Sequence, residues 1–338
     1  MFIVKDVRKI PEILTSDPAA VTELKLSRRP AEFKQRPANF ILPPAPPSTS
    51  SKVASKKNTA DPGTLHALIS HDLSPLTSLE YLSVYDSEIV SLLGIEKLSA
   101  IDNLKELHVG CNPISSIPMG LALLELLVSF SADDCLLTTF PTAVSSLPLL
   151  QELRLSGNDI SEIKAEDLAN LTELRGLIMD NNGIATFPLV TLPSLTKLSL
   201  RSNSLSSIPS TLFLTSPNLT FVALSSNCLT SIDLPNLVRS CVGLTHVYLN
   251  GNVIKGKVDG IEDTAADNIL TGVGTALRER GAVAFHLNLS NNPLVIREAP
   301  NDLVEFVGSV KKGVMGEGSL KCMFVGCGFA EDVEMMDQ

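Results

Sequence analysis

Tryptophan is absent from this 338-residue chain, tyrosine occurs three times, and aromatic residues make up only 4% of it. Burial therefore falls to aliphatic side chains, which a composition 44% hydrophobic can supply. No apolar run is long enough to cross a bilayer. The longest, Met119 to Phe130, is interrupted by Glu125, and we expect it to form part of an outer wall. The opening Met-Phe-Ile-Val-Lys-Asp lacks a basic region followed by an apolar stretch, so it does not read as a secretory signal. Basic residues, 27 Lys and Arg against 37 Asp and Glu, leave a net charge of −10, which disfavours nucleic acid or an anionic membrane as partner. The six cysteines sit singly at 111, 135, 228, 241, 322 and 327. Cys322 and Cys327 have no second cysteine or histidine pair beside them, so neither a metal nor another cofactor is expected. The glycines at 313, 316 and 318 lack the Lys-Ser/Thr ending of a phosphate loop.

What the chain does have is one eleven-residue frame, L-x-x-L-x-L-x-x-N-x-L, nine times over. Complete copies begin at Leu104, Leu150, Leu174, Leu195, Leu219 and Leu244, with Asn112, Asn158, Asn182, Asn203, Asn227 and Asn252 in the asparagine slot. Weaker copies begin at Leu79, with Ser87 in that slot, at Leu127, with Cys135, and at Ala284, with Asn292. The alternation L-x-L predicts a short strand whose leucines point one way and whose intervening residues point the other. The asparagine is expected to turn inward and bond the backbone of its own and the neighbouring turn. An unpaired buried amide costs roughly 1–3 kcal/mol, so the arrangement is self-consistent only in a stack. Most frames run on to an apolar-proline step, as at Ile117-Pro118, Phe140-Pro141, Phe187-Pro188 and Ile208-Pro209, which suits an irregular or short helical outer wall.

Outside the frames the order of the chain suggests four segments. Residues 1–37 hold Val21, Leu24 and Leu26 at frame spacing and read as an N-terminal cap or a divergent first repeat. Residues 38–63, rich in Pro, Ser and Lys, read as a flexible insertion whose Pro43 to Pro47 run could dock a proline-reading domain, although a plain linker explains it too. Residues 64–300 form the repeat domain, with a helical insertion at about 256–282, in which Ile269, Leu270, Val273 and Leu277 recur at helical spacing and Gly281 closes the helix. Residues 301–338 read as a capping helix over 302–312, a strand over 320–325 and an acidic tail.

The frame and the Ile-Pro step together resemble the leucine-rich-repeat superfamily, in its intracellular, typical-type form, over about 220 residues. The resemblance implies an α/β solenoid: a curved horseshoe of about nine repeats with a parallel concave sheet, a short helical or irregular convex side, and capping segments at both ends. It also implies protein binding on the curved surface. The chain lacks the clustered cysteine flanks of extracellular members, which points to a reducing, cytoplasmic location. Similar proteins include the regulatory-subunit type of phosphatase 1 and signalling scaffolds. A helix followed by a strand over 263–292 is reminiscent of the longer repeats of ribonuclease inhibitor and the Ran GTPase activator.

Function must then lie in the positions that the frame leaves free. The third, fifth, seventh and eighth are expected to face the concave sheet, stacked roughly 5 Å apart. All three tyrosines and three of the five histidines fall in these columns. Tyrosine and arginine are frequent energetic anchors of interfaces. We therefore expect two anchoring ends, Tyr81 and Tyr85 on one side and Phe221, His246 and Tyr248 on the other. Between them lies a charged middle of His108, Asp133, Arg154, Asp180 and Arg201, with Arg154 between the two aspartates. A self-satisfied ion network would account for that middle equally simply. Catalysis is not expected. His108 neighbours Asp133 across one repeat, but no serine or cysteine nucleophile completes a triad, Cys111 being only a turn away. The chain thus reads as a non-catalytic scaffold binding a partner protein. Its rivals are a structural subunit of a large intracellular assembly and a regulator of a phosphatase or small GTPase, the last needing an exposed arginine such as Arg154, Arg175 or Arg201.

Overall fold

A computed structural model describes residues 2–4, 14–26, 68–254, 270, 272–279, 285–293 and 320–323, with only the backbone described for the first and last of these stretches. Twelve parallel strands lie in one open sheet, in chain order. They are β1 (Phe2–Val4), β2 (Glu23–Leu26), β3 (Tyr81–Ser83), β4 (Glu106–His108), β5 (Ser129–Ser131), β6 (Glu152–Arg154), β7 (Gly176–Ile178), β8 (Lys197–Ser199), β9 (Phe221–Ala223), β10 (His246–Tyr248), β11 (Phe285–Asn288) and β12 (Leu320–Met323). Strands β3 to β11 are the nine frame copies. Tyr81 lies opposite Glu106, Glu106 opposite Ser129, and His246 opposite His286 despite the 40-residue step between the last two frames. Equal frame positions therefore stack as columns.

Three strands lie beyond the frames. β2 pairs with β3, Glu23 opposite Tyr81, and Val21, Leu24 and Leu26 are buried at the depth of Leu79, Leu82 and Val84. β1 pairs with β2 outside it, and β12 pairs with β11 at the other edge.

Period-2 alternation sends one side of every strand into the core. Leu82, Leu107, Phe130, Leu153, Leu177, Leu198, Val222 and Val247 are fully buried, as are Val84, Val109, Leu155, Met179, Leu200, Leu224 and Leu249 two residues on. Each such side chain contributes about 1.5–3 kcal/mol. The asparagines close the core at the strand ends. Asn182 donates from Nδ2 to the carbonyls of Leu155 and Met179 at 2.9 and 3.2 Å and accepts the N–H of Ile160 at 3.0 Å. Asn203, Asn227 and Asn252 repeat that pattern one strand further on each time.

The turn after each strand has one fixed conformation. The eighth frame position has positive φ in all nine copies, at Asp86, Cys111, Asp134, Gly157, Asn181, Ser202, Ser226, Gly251 and Asn291. Small and Asx-type side chains tolerate this left-handed geometry, which explains the turn-like composition of the column. At Gly157 the Asp134 carboxylate occupies the space a Cβ would take, so a substitution there would have to displace that side chain as well as adopt the positive φ.

On the convex side the element changes along the chain. Frames of 23 to 25 residues in the N-terminal half carry 3-10 turns at Ile95–Ala100, Met119–Leu123 and Thr142–Ser146. Later ones carry short helices, α1 (Ala165–Leu168), α2 (Thr211–Thr215), α3 (Leu234–Ser240) and α4 (Val273–Glu279). The 21-residue step from Leu174 to Leu195 carries neither.

The run from Met119 to Phe130, expected in the outer wall alone, straddles both walls: Met119 and Leu123 are exposed on the convex side, whereas Phe130 is buried in β5. Within the helical insertion, Leu270, Val273 and Leu277 are buried and α4 is tied to α3 by Arg239 Nε and Glu279 Oε2 at 3.0 Å. The segment over 38–63, residues 265–269 and Gly281 of the insertion, the capping helix over 302–312 and the acidic tail lie outside the described residues, as do the side chains of Cys322 and Cys327.

Candidate recognition surface

The register that buries the leucines turns the other side of each strand outward, so the ten candidate residues share one face of the sheet. At its N-terminal end, the rings of Tyr81 and His108 lie 5.0 Å apart, and Lys25 Nζ stands 5.0 Å from the centre of the Tyr81 ring. Tyr85 sits one turn further on, where Cys111 Sγ donates to its Oη at 2.7 Å. Burial, and then that bond, push the Tyr85 phenol well above its ordinary value, so it remains a neutral hydroxyl. Burial likewise pushes up the Cys111 thiol.

His108 does not engage Asp133. Its Nε2 faces Glu106 Oε2 at 3.6 Å, too long for a hydrogen bond, and burial lowers its pKa more than Glu106 restores it. The neutral imidazole is thus part of the Tyr81 stack, and its Nε2 is buried without a hydrogen-bond partner.

The charged middle is divided rather than shared. Arg154 Nε donates to Asp133 Oδ2 at 2.9 Å and Nη1 approaches Glu152 at 3.8 Å. The other Asp133 oxygen accepts the Ser156 N–H at 2.7 Å. Asp180, expected as a second partner for Arg154, instead accepts the Ser199 hydroxyl at 2.7 Å and the Arg201 N–H at 2.8 Å through Oδ1. Burial raises its pKa. These aspartates therefore tie together the ends of successive strands, and Arg154 is largely satisfied within the chain.

At the C-terminal end the residues form a continuous ring ladder. Phe221 lies 5.5 Å from Tyr248 and 6.1 Å from His246, and His286 lies 5.7 Å from His246 and 5.2 Å from Tyr248. Arg201 lies over two of these rings, its Cζ 5.1 Å from the centre of Tyr248 and 5.7 Å from that of Phe221, and Lys197 Nζ is 5.5 Å from Phe221. Sequence reasoning left Lys25, Lys197 and His286 out of the candidate set. The column register would have found the last two, since Lys197 and His286 occupy the same third position as Phe221 and His246. Lys25 needed the pairing of β2 with β3.

Between the two ends lies a shallow open depression lined by Glu106, Ser129, Glu152, Gly176, Ile178 and Lys197, at the point where Gly176 contributes no side chain. Among the described residues, no group of three or more His, Cys, Asp or Glu could hold a metal ion, and no helix is long and apolar enough to cross a membrane.

Comparison with known proteins gives the same repeat. Leucine rich repeat family models match residues 193–254 and 149–171. The chain is 30% identical over 136 residues to the disease resistance protein RPS4B of Arabidopsis thaliana, a stretch covering 39% of this chain. It spans only 12% of that protein's length. Among solved structures, a leucine-rich-repeat protein of Leptospira interrogans superposes with a TM-score of 0.57 at 16% identity, covering 97% of this chain and 82% of that one. The internalin InlF of Listeria monocytogenes gives a TM-score of 0.51 at 18% identity, covering 78% and 76% respectively. These structural likenesses concern the fold.

Proposed function

Since the chain is a leucine-rich-repeat protein, we propose that it is a non-catalytic interaction module or scaffold that receives a partner protein on its concave face. One observation carries this reading. Tyr81, Tyr248, His108, His246, His286, Phe221 and Arg154 are held in strand register on the sheet face turned away from the core, and Tyr85 and Arg201 occupy the turns that follow β3 and β8. Aromatic and arginine side chains on a preformed surface supply contact area at low entropic cost. The four cysteines with described side chains, Cys111, Cys135, Cys228 and Cys241, are all free thiols, which supports action in a reducing, cytoplasmic setting.

The test is recovery of partners by cross-linking and pull-down with a folded Tyr81→Ala, Tyr85→Ala, Tyr248→Ala variant. Partner recovery should fall sharply, and unchanged recovery would overturn the concave-face reading. Affinity purification with mass spectrometry then separates scaffold from structural subunit. Varied substoichiometric partners mean a scaffold, and one abundant stoichiometric complex means a subunit.

A further inference from the structure

The concave face is electrically divided. In the third, fifth, seventh and eighth columns of β3 to β7 stand Glu106, Glu152, Asp133, Asp180, Asp86 and Asp134, opposed by Arg154 alone. In the same columns of β8 to β11 there is no carboxylate, and Lys197 and Arg201 stand among the rings. This cationic quarter belongs to a chain of net charge −10, so it is not the by-product of a generally basic surface.

Arg201 is the informative residue. Its backbone N–H is held by Asp180, but its guanidinium makes no ion pair, and its Nε is buried without a hydrogen-bond partner. An unsatisfied buried donor carries a desolvation cost that a bound acceptor would remove. The Arg201 guanidinium lies beside both rings, its Cζ 5.1 Å from the centre of Tyr248 and 5.7 Å from that of Phe221, and its planar fork of donors suits a two-oxygen acceptor. Lys197 adds a second cation at the start of β8, the strand that leads into Arg201, and the ladder of Phe221, Tyr248, His246 and His286 offers faces for apolar side chains beside the charge.

We propose that the surface over β8 to β11 binds an acidic peptide segment of a partner protein, with one carboxylate seated on Arg201 and neighbouring side chains laid across the ring ladder. The proposal rests on the concave-face reading and adds to it a ligand chemistry and an end of the sheet. Charge complementarity selects the occupant. A long polyanion such as single-stranded nucleic acid could also use rings and cations, but it would run onto the six carboxylates of β3 to β7 on the same sheet. A short acidic segment that stops near β7 meets only Asp180 of those six carboxylates.

The experiment is fluorescence polarisation on the full chain with three labelled probes, a hexaglutamate peptide carrying one phenylalanine, its hexalysine counterpart and a deoxythymidine decamer. The glutamate peptide should bind, and the lysine peptide should not bind in competition with it. Arg201→Gln should weaken the interaction roughly tenfold or more, as loss of a charge-assisted two-point bond implies. Arg201→Lys, which keeps the charge but loses the fork, should restore it only in part. Glu96→Gln, on the convex side, should leave it unchanged. Equal binding by wild type and a folded Arg201→Gln variant overturns the proposal, as does tighter binding of the decamer. Failure of the parent reading looks different. A photo-cross-linker at Ser129, in the middle of the face, would then capture no partner at all, whereas cross-linking there that is indifferent to Arg201→Gln removes only the acidic-segment assignment.

Discussion

Asn158 reaches back across a repeat boundary, its Oδ1 accepting the N–H of Leu137 at 3.0 Å. Its Nδ2 meanwhile donates to Ala132 and Leu155 carbonyls on two successive turns. The same slot one repeat earlier holds Cys135, whose thiol makes only 3.7 Å contacts to the carbonyls of Val109 and Asp133. A thiol cannot reproduce the acceptor, and the N–H of Ile114 turns instead to the carbonyl of Asn112 at 2.7 Å. Asn158→Ala should therefore destabilise by about 1–3 kcal/mol or more, since it strands several buried groups at once. Cys135→Asn should stabilise by up to about 1 kcal/mol by completing the ladder. Denaturant melts of both variants check the pair, and a Cys135→Asn variant less stable than wild type would show that the slot is shaped for sulfur.

The core leucines test the fold without touching the recognition surface. Leu155 is fully buried on the inner side of the turn after β6. Leu155→Ala should cost roughly 2–5 kcal/mol through the cavity it leaves. At temperatures where the variant remains folded, partner recovery should match wild type, because the sheet face opposite is unaltered. A melting midpoint equal to wild type would contradict the burial.

The repeated letters of the chain made the nine central strands, their register and the asparagine ladder legible, because a solenoid's contacts lie between neighbouring repeats and recur with the sequence period. β1 escaped the sequence reading, lacking a whole frame. The side-chain pairings were harder. Arg154 has Asp133 and Asp180 on flanking strands, and spacing alone could not reveal that Asp180 turns to the Ser199 hydroxyl and the Arg201 N–H. Columns give neighbourhood, while rotamers decide partners. That His286 joins His246 depended on the register surviving an insertion, which the 40-residue step obscured.

The thiols should differ in reactivity. Burial pushes the Cys135 thiol up to about 11, so almost none is thiolate at neutral pH, and Cys241 is fully buried. Cys228 is exposed. Of the four cysteines with described side chains, Cys228 should be alkylated first by iodoacetamide in the native protein, and Cys135 and Cys241 only on unfolding. Peptide mapping at short times reads this directly, and early labelling of Cys135 would mean that the ladder opens locally there.

His108 should make the protein sensitive to mild acid. Burial lowers its pKa in the folded state below the ordinary 6.5, so the unfolded chain takes up the proton first. Stability should then fall as pH drops from 6.5 towards the folded value and level off beneath it. His108→Gln should flatten this part of the stability profile. An NMR titration in which the His108 ring protonates above 6.5 would reverse the sign and refute the assignment.

Asp180 should act in the opposite sense. Its folded pKa is raised, chiefly by burial, so between the ordinary carboxylate range and the raised value the folded protein holds a proton that the unfolded chain has released. Stability must decline as pH rises through that window, and the ionised carboxylate remains a cost at neutral pH. Asparagine can still accept from Ser199 and from the Arg201 N–H through its carbonyl oxygen without that charge. Asp180→Asn should therefore raise the melting temperature at pH 7, with the gain vanishing once the pH falls below the ordinary carboxylate range. It also removes the negative charge beside the Arg201 guanidinium, so it should tighten binding of the glutamate peptide. A variant that is stabilised yet binds that peptide more weakly would mean that Asp180 orients Arg201 through its backbone, and that position outweighs charge at this end of the sheet.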